Sequence, residues 1–114
     1  LSAPRTRGRR SARRVTVAAN ELWLVVYDIA DDGRRARMAR WFSSRGVRVQ
    51  ESVFELVAPR VRVADWLAKA RGDTRFDPTA DSLRAYLVCE ACAAHVTHHG
   101  LGPSPRAPRR PVVA

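Results

Sequence analysis

Leu22-Trp23-Leu24-Val25-Val26-Tyr27 is an unbroken apolar run that ends on a carboxylate, Asp28. A run of that length reads as a strand buried in a sheet, with Asp28 delivered at its carboxyl end. A rigid strand holds a side chain there while the following loop leaves it open to ligands and metals. Ile29-Ala30-Asp31-Asp32 follows at once, and then Arg34, Arg35, Arg37, Arg40, Arg45 and Arg48. One fixed acid beside many guanidiniums suits a metal-dependent site acting on a phosphate backbone.

The remaining elements follow from spacing. Asp31 or Asp32 caps a helix predicted to run to about Arg45, with Gly46 as its left-handed stop. Met38, Trp41 and Phe42 fall at i, i+3, i+4, so one stripe packs on the sheet. Val47–Glu51 and Ser52–Val57 read as two short strands with a kink between them. Pro59 opens a second helix, in which Val63, Trp66, Leu67 and Ala70 form the apolar stripe and Gly72 marks the end. Gly72–Asp81 is a polar loop with an Asp77-Pro78 turn signal. Ser82–Val88 alternates Leu83, Ala85, Leu87 against Arg84, Tyr86, Val88 and is the last core strand. The order β-α-β-β-α-β predicts an α+β, ferredoxin-like sandwich, an antiparallel sheet with both helices on one face. The other face is left seeking a partner, which such domains often find by homodimerising.

Length and charge set the domain organisation. At 114 residues the chain is one domain. Its net charge of +10 is carried at the ends, since residues 1–20 hold six arginines and no acid and residues 101–114 three arginines and no acid. The expected division is a disordered basic extension (1–20), a folded domain (21–100) and a Pro/Arg-rich tail (101–114). Basic tails favour polyanions without sequence preference, although a merely solubilising or spurious extension reads the same way. The chain begins with Leu rather than Met, as expected of a non-standard start codon or a truncation. No apolar run reaches the ~18–20 residues of a membrane span, and the arginine-rich start lacks a signal-peptide core. Arg-rich, acid-poor leaders also mark organelle transit peptides, but two cysteines without a secretion signal fit a reducing cytoplasm.

Val25-Val26-Tyr27-Asp28-Ile29-x-Asp31-Asp32, Arg34-Arg35, and Gly46-Val47-Arg48-Val49-Gln50-x-Ser52-Val53-Phe54-Glu55 resemble the CRISPR-associated Cas-two (Cas2) family. Asp81-Ser82-Leu83-Arg84-Ala85-Tyr86 and Leu87-Val88-Cys89-Glu90-x-Cys92 are similar to that family's last core strand and its exit. The likeness covers roughly residues 22–100. It implies a homodimer that takes part in acquiring CRISPR spacers and bridges dimers of the Cas-one integrase. It also implies a metal-dependent endonuclease acting on single-stranded RNA or, in some members, double-stranded DNA, with several members serving as scaffolds. Glu51 departs from the family, which commonly has an aromatic residue before Ser52.

Asp28 is the candidate catalytic and metal-binding residue, the alternative being a cap on a backbone turn. Mg²⁺ (or Mn²⁺) needs only one or two carboxylates, and a twofold axis would supply the second from a partner's copy. Arg35, Arg37 and Arg48 match family arginines and are the nucleic-acid-binding candidates, with forked donors suited to phosphate. Arg34 and Arg40 are expected on a solvated face. Asp31 reads as a helix cap before a ligand, and Ser52, with no base beside it, is no nucleophile. Phe54 either stacks on a base or fills the core, and the core is favoured. Cys89, Cys92, His95 and His98 compose a zinc donor set, but their spacing is too tight for the usual finger, so an idle or buried thiol pair is preferred. A redox role would need that Cys-x-x-Cys at a helix start directly after a strand. Besides the nuclease, two readings stay open, a non-catalytic DNA-binding scaffold and a toxin-like ribonuclease of the same fold.

Overall fold

A computed structural model describes residues 19–103. The expected disordered extension and Pro/Arg-rich tail fall mostly on residues 1–18 and 104–114, outside the described residues. The order is β1 (Glu21–Asp28), α1 (Asp32–Ser43), β2 (Val47–Gln50), β3 (Val53–Ala58), α2 (Arg60–Asp73), β4 (Ser82–Val88) and a short α3 (Glu90–Ala93). The four strands form one sheet in the order β2-β3-β1-β4, with every neighbouring pair antiparallel. This is the α+β, ferredoxin-like arrangement expected from the element order.

Strand alternation divides the sheet into two unlike faces. Trp23, Val25 and Tyr27 of β1, Phe54 and Leu56 of β3, and Leu83 and Ala85 of β4 turn to the helices. There they pack with Met38 and Phe42 of α1 and Ala70 of α2, forming the core. Phe54 and Phe42 are fully buried, their ring centroids 5.9 Å apart. The opposite face carries Leu22, Leu24, Val26 and Asp28 of β1, Val53, Glu55 and Val57 of β3, and Arg84, Tyr86 and Val88 of β4. Leu22 is buried at one end of this face while Tyr86 is 47% exposed, so the face is only partly covered by the described residues.

Two helix ends depart from expectation. Gly46 is not left-handed. Helix α1 is closed by Ser44 in a right-handed conformation, and the N–H groups of Arg45 and Gly46 both donate to the Phe42 carbonyl. Glycine is needed at 46 because a β-carbon would strike the Glu55 carbonyl oxygen and the Leu56 side chain of β3. Gly72 does not end α2 either. The helix continues to Asp73, and buried Thr74 closes it by donating from Oγ1 to the Ala70 carbonyl at 2.7 Å. Arg75 then takes the left-handed turn, φ 59°.

The two helices are joined at these ends by Trp41 Nε1, which donates to Asp73 Oδ2 at 2.8 Å. Arg45 lies over the Trp41 ring, 3.5 Å from its centroid. A shallow cavity of about 350 Å³ opens beside them, lined by Arg37, Arg40, Trp41, Arg45 and Asp73. Residues of the carboxyl ends of both helices meet there, and Arg40 and Arg45 complement the dipole of α1. Among the described residues no helix is long and apolar enough to cross a membrane.

Candidate active site at the end of β1

The carboxyl end of β1 meets the start of α1, the β2–β3 turn at Glu51-Ser52 and the loop entering β4. Asp28 is the last residue of β1, exposed, and opposite Ser82 of β4. By alternation it lies on the partly covered sheet face. Its carboxylate takes no hydrogen bond or ion pair from the described residues.

Three neighbouring carboxylates are committed, whereas that of Glu51 in the β2–β3 turn, like that of Asp28, takes no partner among the described residues. Asp31 is the N-cap of α1, with Oδ2 accepting the Arg34 N–H at 2.8 Å, a bond that pulls its carboxyl below the ordinary range. Asp32 pairs with Arg35 at 2.7 Å. Asp81, whose side chain is fully buried, accepts four bonds. Oδ1 takes the Ala30 N–H (2.9 Å) and Arg34 Nη2 (3.0 Å), and Oδ2 takes Arg34 Nε (3.1 Å) and the Asp77 N–H (2.9 Å). Arg34 foremost holds the Asp81 carboxyl well below the usual range, at about 2. Arg34 is therefore no member of a solvated face, being four-fifths covered and locked to Asp81. Sequence reading missed Asp81, whose only signal was a lone acid immediately ahead of β4.

Arg35 turns back on the loop that leaves Asp28. Its Nε donates to the Ile29 carbonyl (3.1 Å) and its Nη2 to the Ala30 carbonyl (3.3 Å), so it fixes the backbone at the strand exit. Arg48 donates from Nε and Nη2 to the Glu51 carbonyl at 3.0 and 2.6 Å. The Tyr27 hydroxyl donates to the same oxygen at 3.2 Å, and burial pushes that hydroxyl's pKa up while the nearby Arg48 opposes the shift. Arg48 and Tyr27 share the helix-side face, opposite to Asp28. Arg37 is half-buried, with Nε buried and unpaired among the described residues. Ser52 enters through its backbone, its carbonyl accepting the Tyr27 N–H at 3.1 Å. Phe54 is core, stacked on Tyr27 at 6.2 Å between centroids, and has no face for a base.

Among the described residues no group of three or more His, Cys, Asp or Glu side chains gathers to hold a metal. The zinc set is accordingly not assembled, and His98 Nε2 instead lies 2.9 Å from the Leu101 carbonyl. For a hard divalent cation the donor chemistry at Asp28 does fit, since an exposed, uncommitted carboxylate is what such an ion takes from a protein when waters and phosphate complete its shell.

Comparison with known proteins supplies the rest. The family model described as CRISPR associated protein Cas2 matches residues 21–96. A curated relative from Mycobacterium tuberculosis, named CRISPR-associated endoribonuclease Cas2, is 38% identical over 79 residues, 69% of this chain. The matched stretch spans 66% of that relative, just under two thirds of its length. The crystal structure of a hypothetical protein, TT1823, from Thermus thermophilus is 38% identical with a TM-score of 0.63, covering 76% of this chain and 99% of that one. Streptococcus pyogenes Cas2 superposes with a TM-score of 0.57 at 28% identity, covering 69% of this chain and 99% of that one.

Proposed function

The chain belongs to the CRISPR-associated Cas2 family, and from that membership we propose that it is a homodimeric, metal-dependent endonuclease of spacer acquisition. RNA is the substrate class its relatives' name supports, taken here as single-stranded, with double-stranded DNA as the alternative. The observation that carries this reading is the contrast among carboxylates. Asp31, Asp32 and Asp81 are bound to N–H groups or guanidiniums, and Asp28 alone of this group is uncommitted.

The partly covered sheet face suits a second copy, because half-buried Leu24, Val26, Val53 and Val57 and exposed Tyr86 lie there beside Glu55 and Arg84, on the face that carries Asp28. An isologous contact there brings two Asp28 side chains to one seam. Together they would hold Mg²⁺ or Mn²⁺, which supplies Lewis acidity toward a phosphodiester and an acidified water. The chain's own residues set the frame. Arg35 pins the Ile29 and Ala30 carbonyls and so the exit of β1. Arg37 and Arg48 place positive charge at the same sheet end, where it attracts a polyanionic strand. The family role further supports partnership with the Cas1 integrase.

Cleavage of single-stranded RNA and duplex DNA, with Mg²⁺, Mn²⁺ or EDTA, tests the proposal. Metal-dependent cleavage that Asp28→Asn abolishes supports it, and an unimpaired Asp28→Asn enzyme overturns it. A second reading is a non-catalytic DNA-binding scaffold, which would use the arginines of this sheet end without needing Asp28. On that reading Asp28→Asn leaves spacer acquisition in cells intact.

A further inference from the structure

The Cys-x-x-Cys motif stands outside the site described above. Sequence alone set a condition for redox chemistry, namely a helix start directly after a strand, and the structure meets it. Strand β4 ends at Val88, Cys89 follows in extended conformation as the N-cap of α3, and Cys92 lies within that helix. The Cys92 N–H donates to Cys89 Sγ at 3.4 Å, which places the two side chains on the same turn. Both residues are exposed and neither is in a disulfide. Among the described residues no third metal-binding side chain joins them, so their chemistry is that of two adjacent thiols.

We propose that Cys89 and Cys92 form a redox-active dithiol, with Cys89 as the attacking thiol and Cys92 as the resolving one, whose reaction partner is a small-molecule disulfide. The Cys89 thiolate attacks one sulfur of the disulfide RSSR, forming Cys89–S–S–R and releasing RS⁻. Cys92 then loses its proton to solvent and attacks Cys89 Sγ, closing the intramolecular disulfide and releasing the second RS⁻. The two protein thiols are oxidised by two electrons, RSSR is reduced, and two RSH leave after protonation. The surroundings divide the roles. The hydrogen bond from the Cys92 N–H foremost lowers the Cys89 pKa, and the neighbouring Cys89 sulfur raises that of Cys92. The bridge would tie the end of β4 to the first turn of α3, fixing the direction in which the chain leaves the sheet.

The test uses the full chain in oxidised and reduced glutathione at neutral pH, followed by intact mass spectrometry and alkylation. Wild type is expected to become two hydrogens lighter without keeping glutathione. Cys92→Ser should stop at the mixed disulfide, and Cys89→Ser should react roughly tenfold more slowly than Cys92→Ser. Serine is itself a good N-cap, so Cys89→Ser keeps the fold. Wild type that collects only mixed or chain-to-chain disulfides, or single variants that react at equal rates, overturns the proposal. The readout is independent of nuclease activity.

Discussion

Asp81 and Arg34, 47 residues apart in sequence, close a bidentate ion pair that ties the loop leaving Asp28 to the loop entering β4. The same carboxylate accepts the Ala30 N–H, two residues beyond Asp28, while Ser82, the next residue in the chain, is paired with Asp28 across the sheet. The candidate catalytic acid is thus braced on both sides by one buried side chain.

Asp81→Asn turns an amide NH₂ toward donors, Arg34 on one side or the Ala30 and Asp77 N–H groups on the other. A fall in melting temperature of about 5–10 °C is expected, measured by calorimetry. A fall of less than about 1 °C would show that the fork contributes nothing.

Acid should reproduce that loss in the wild type. The folded-state pKa of Asp81 is about 2 against an ordinary 3.8, so its stabilisation is complete above the ordinary value. It shrinks as pH drops below that value and is gone once pH passes below about 2. Between pH 4 and 2 the melting temperature of wild type should approach that of Asp81→Asn, and curves that stay parallel would contradict the assignment.

Asp28→Asn separates chemistry from folding. The side chain is exposed and uncommitted, so the melting temperature should move by less than about 2 °C. Cleavage should fall at least about 100-fold. A variant that loses stability along with activity would mean that Asp28 holds the turn instead.

Arg37→Ala tests the electrostatic frame. If its guanidinium meets a backbone phosphate, the slope of log Kd against log salt for single-stranded RNA should drop by about 0.7, as fluorescence anisotropy would register. An unchanged slope removes Arg37 from the interface.

Two glycines make opposite predictions. Gly46→Ala forces a methyl against β3 and should cost about 1–3 kcal/mol in chemical denaturation. Gly72→Ala, exposed inside α2 with nothing within 4 Å, should stabilise by about 0.5–1 kcal/mol.

Those glycines also mark where sequence reading stopped. Apolar alternation located Ser82–Val88 to the residue and β1 to within one, because burial on a sheet imposes its period directly on the chain. The stripes Met38/Phe42 and Val63/Ala70 were legible for the same reason. Gly46 and Gly72 each looked like a stop, yet what decides them is the distance to β3 or the hydroxyl of Thr74, which is tertiary information. Asp28 was conspicuous as an acid ending an apolar run. Asp81 was not, since its meaning arises only when β4 pairs with β1 and brings residue 81 beside residue 30. Arg34 and Arg35, adjacent in sequence and alike in chemistry, have separate tasks for the same reason.

If a second copy completes the site at Asp28, as proposed, the position of that acid on the far face of the sheet has a kinetic corollary. A centre completed only by a second copy does not exist in a dissociated chain, so on dilution the cleavage rate should fall as the square of protein concentration. Above the association threshold the rate should become proportional to protein concentration, so the strength of that contact would set the concentration at which cleavage begins.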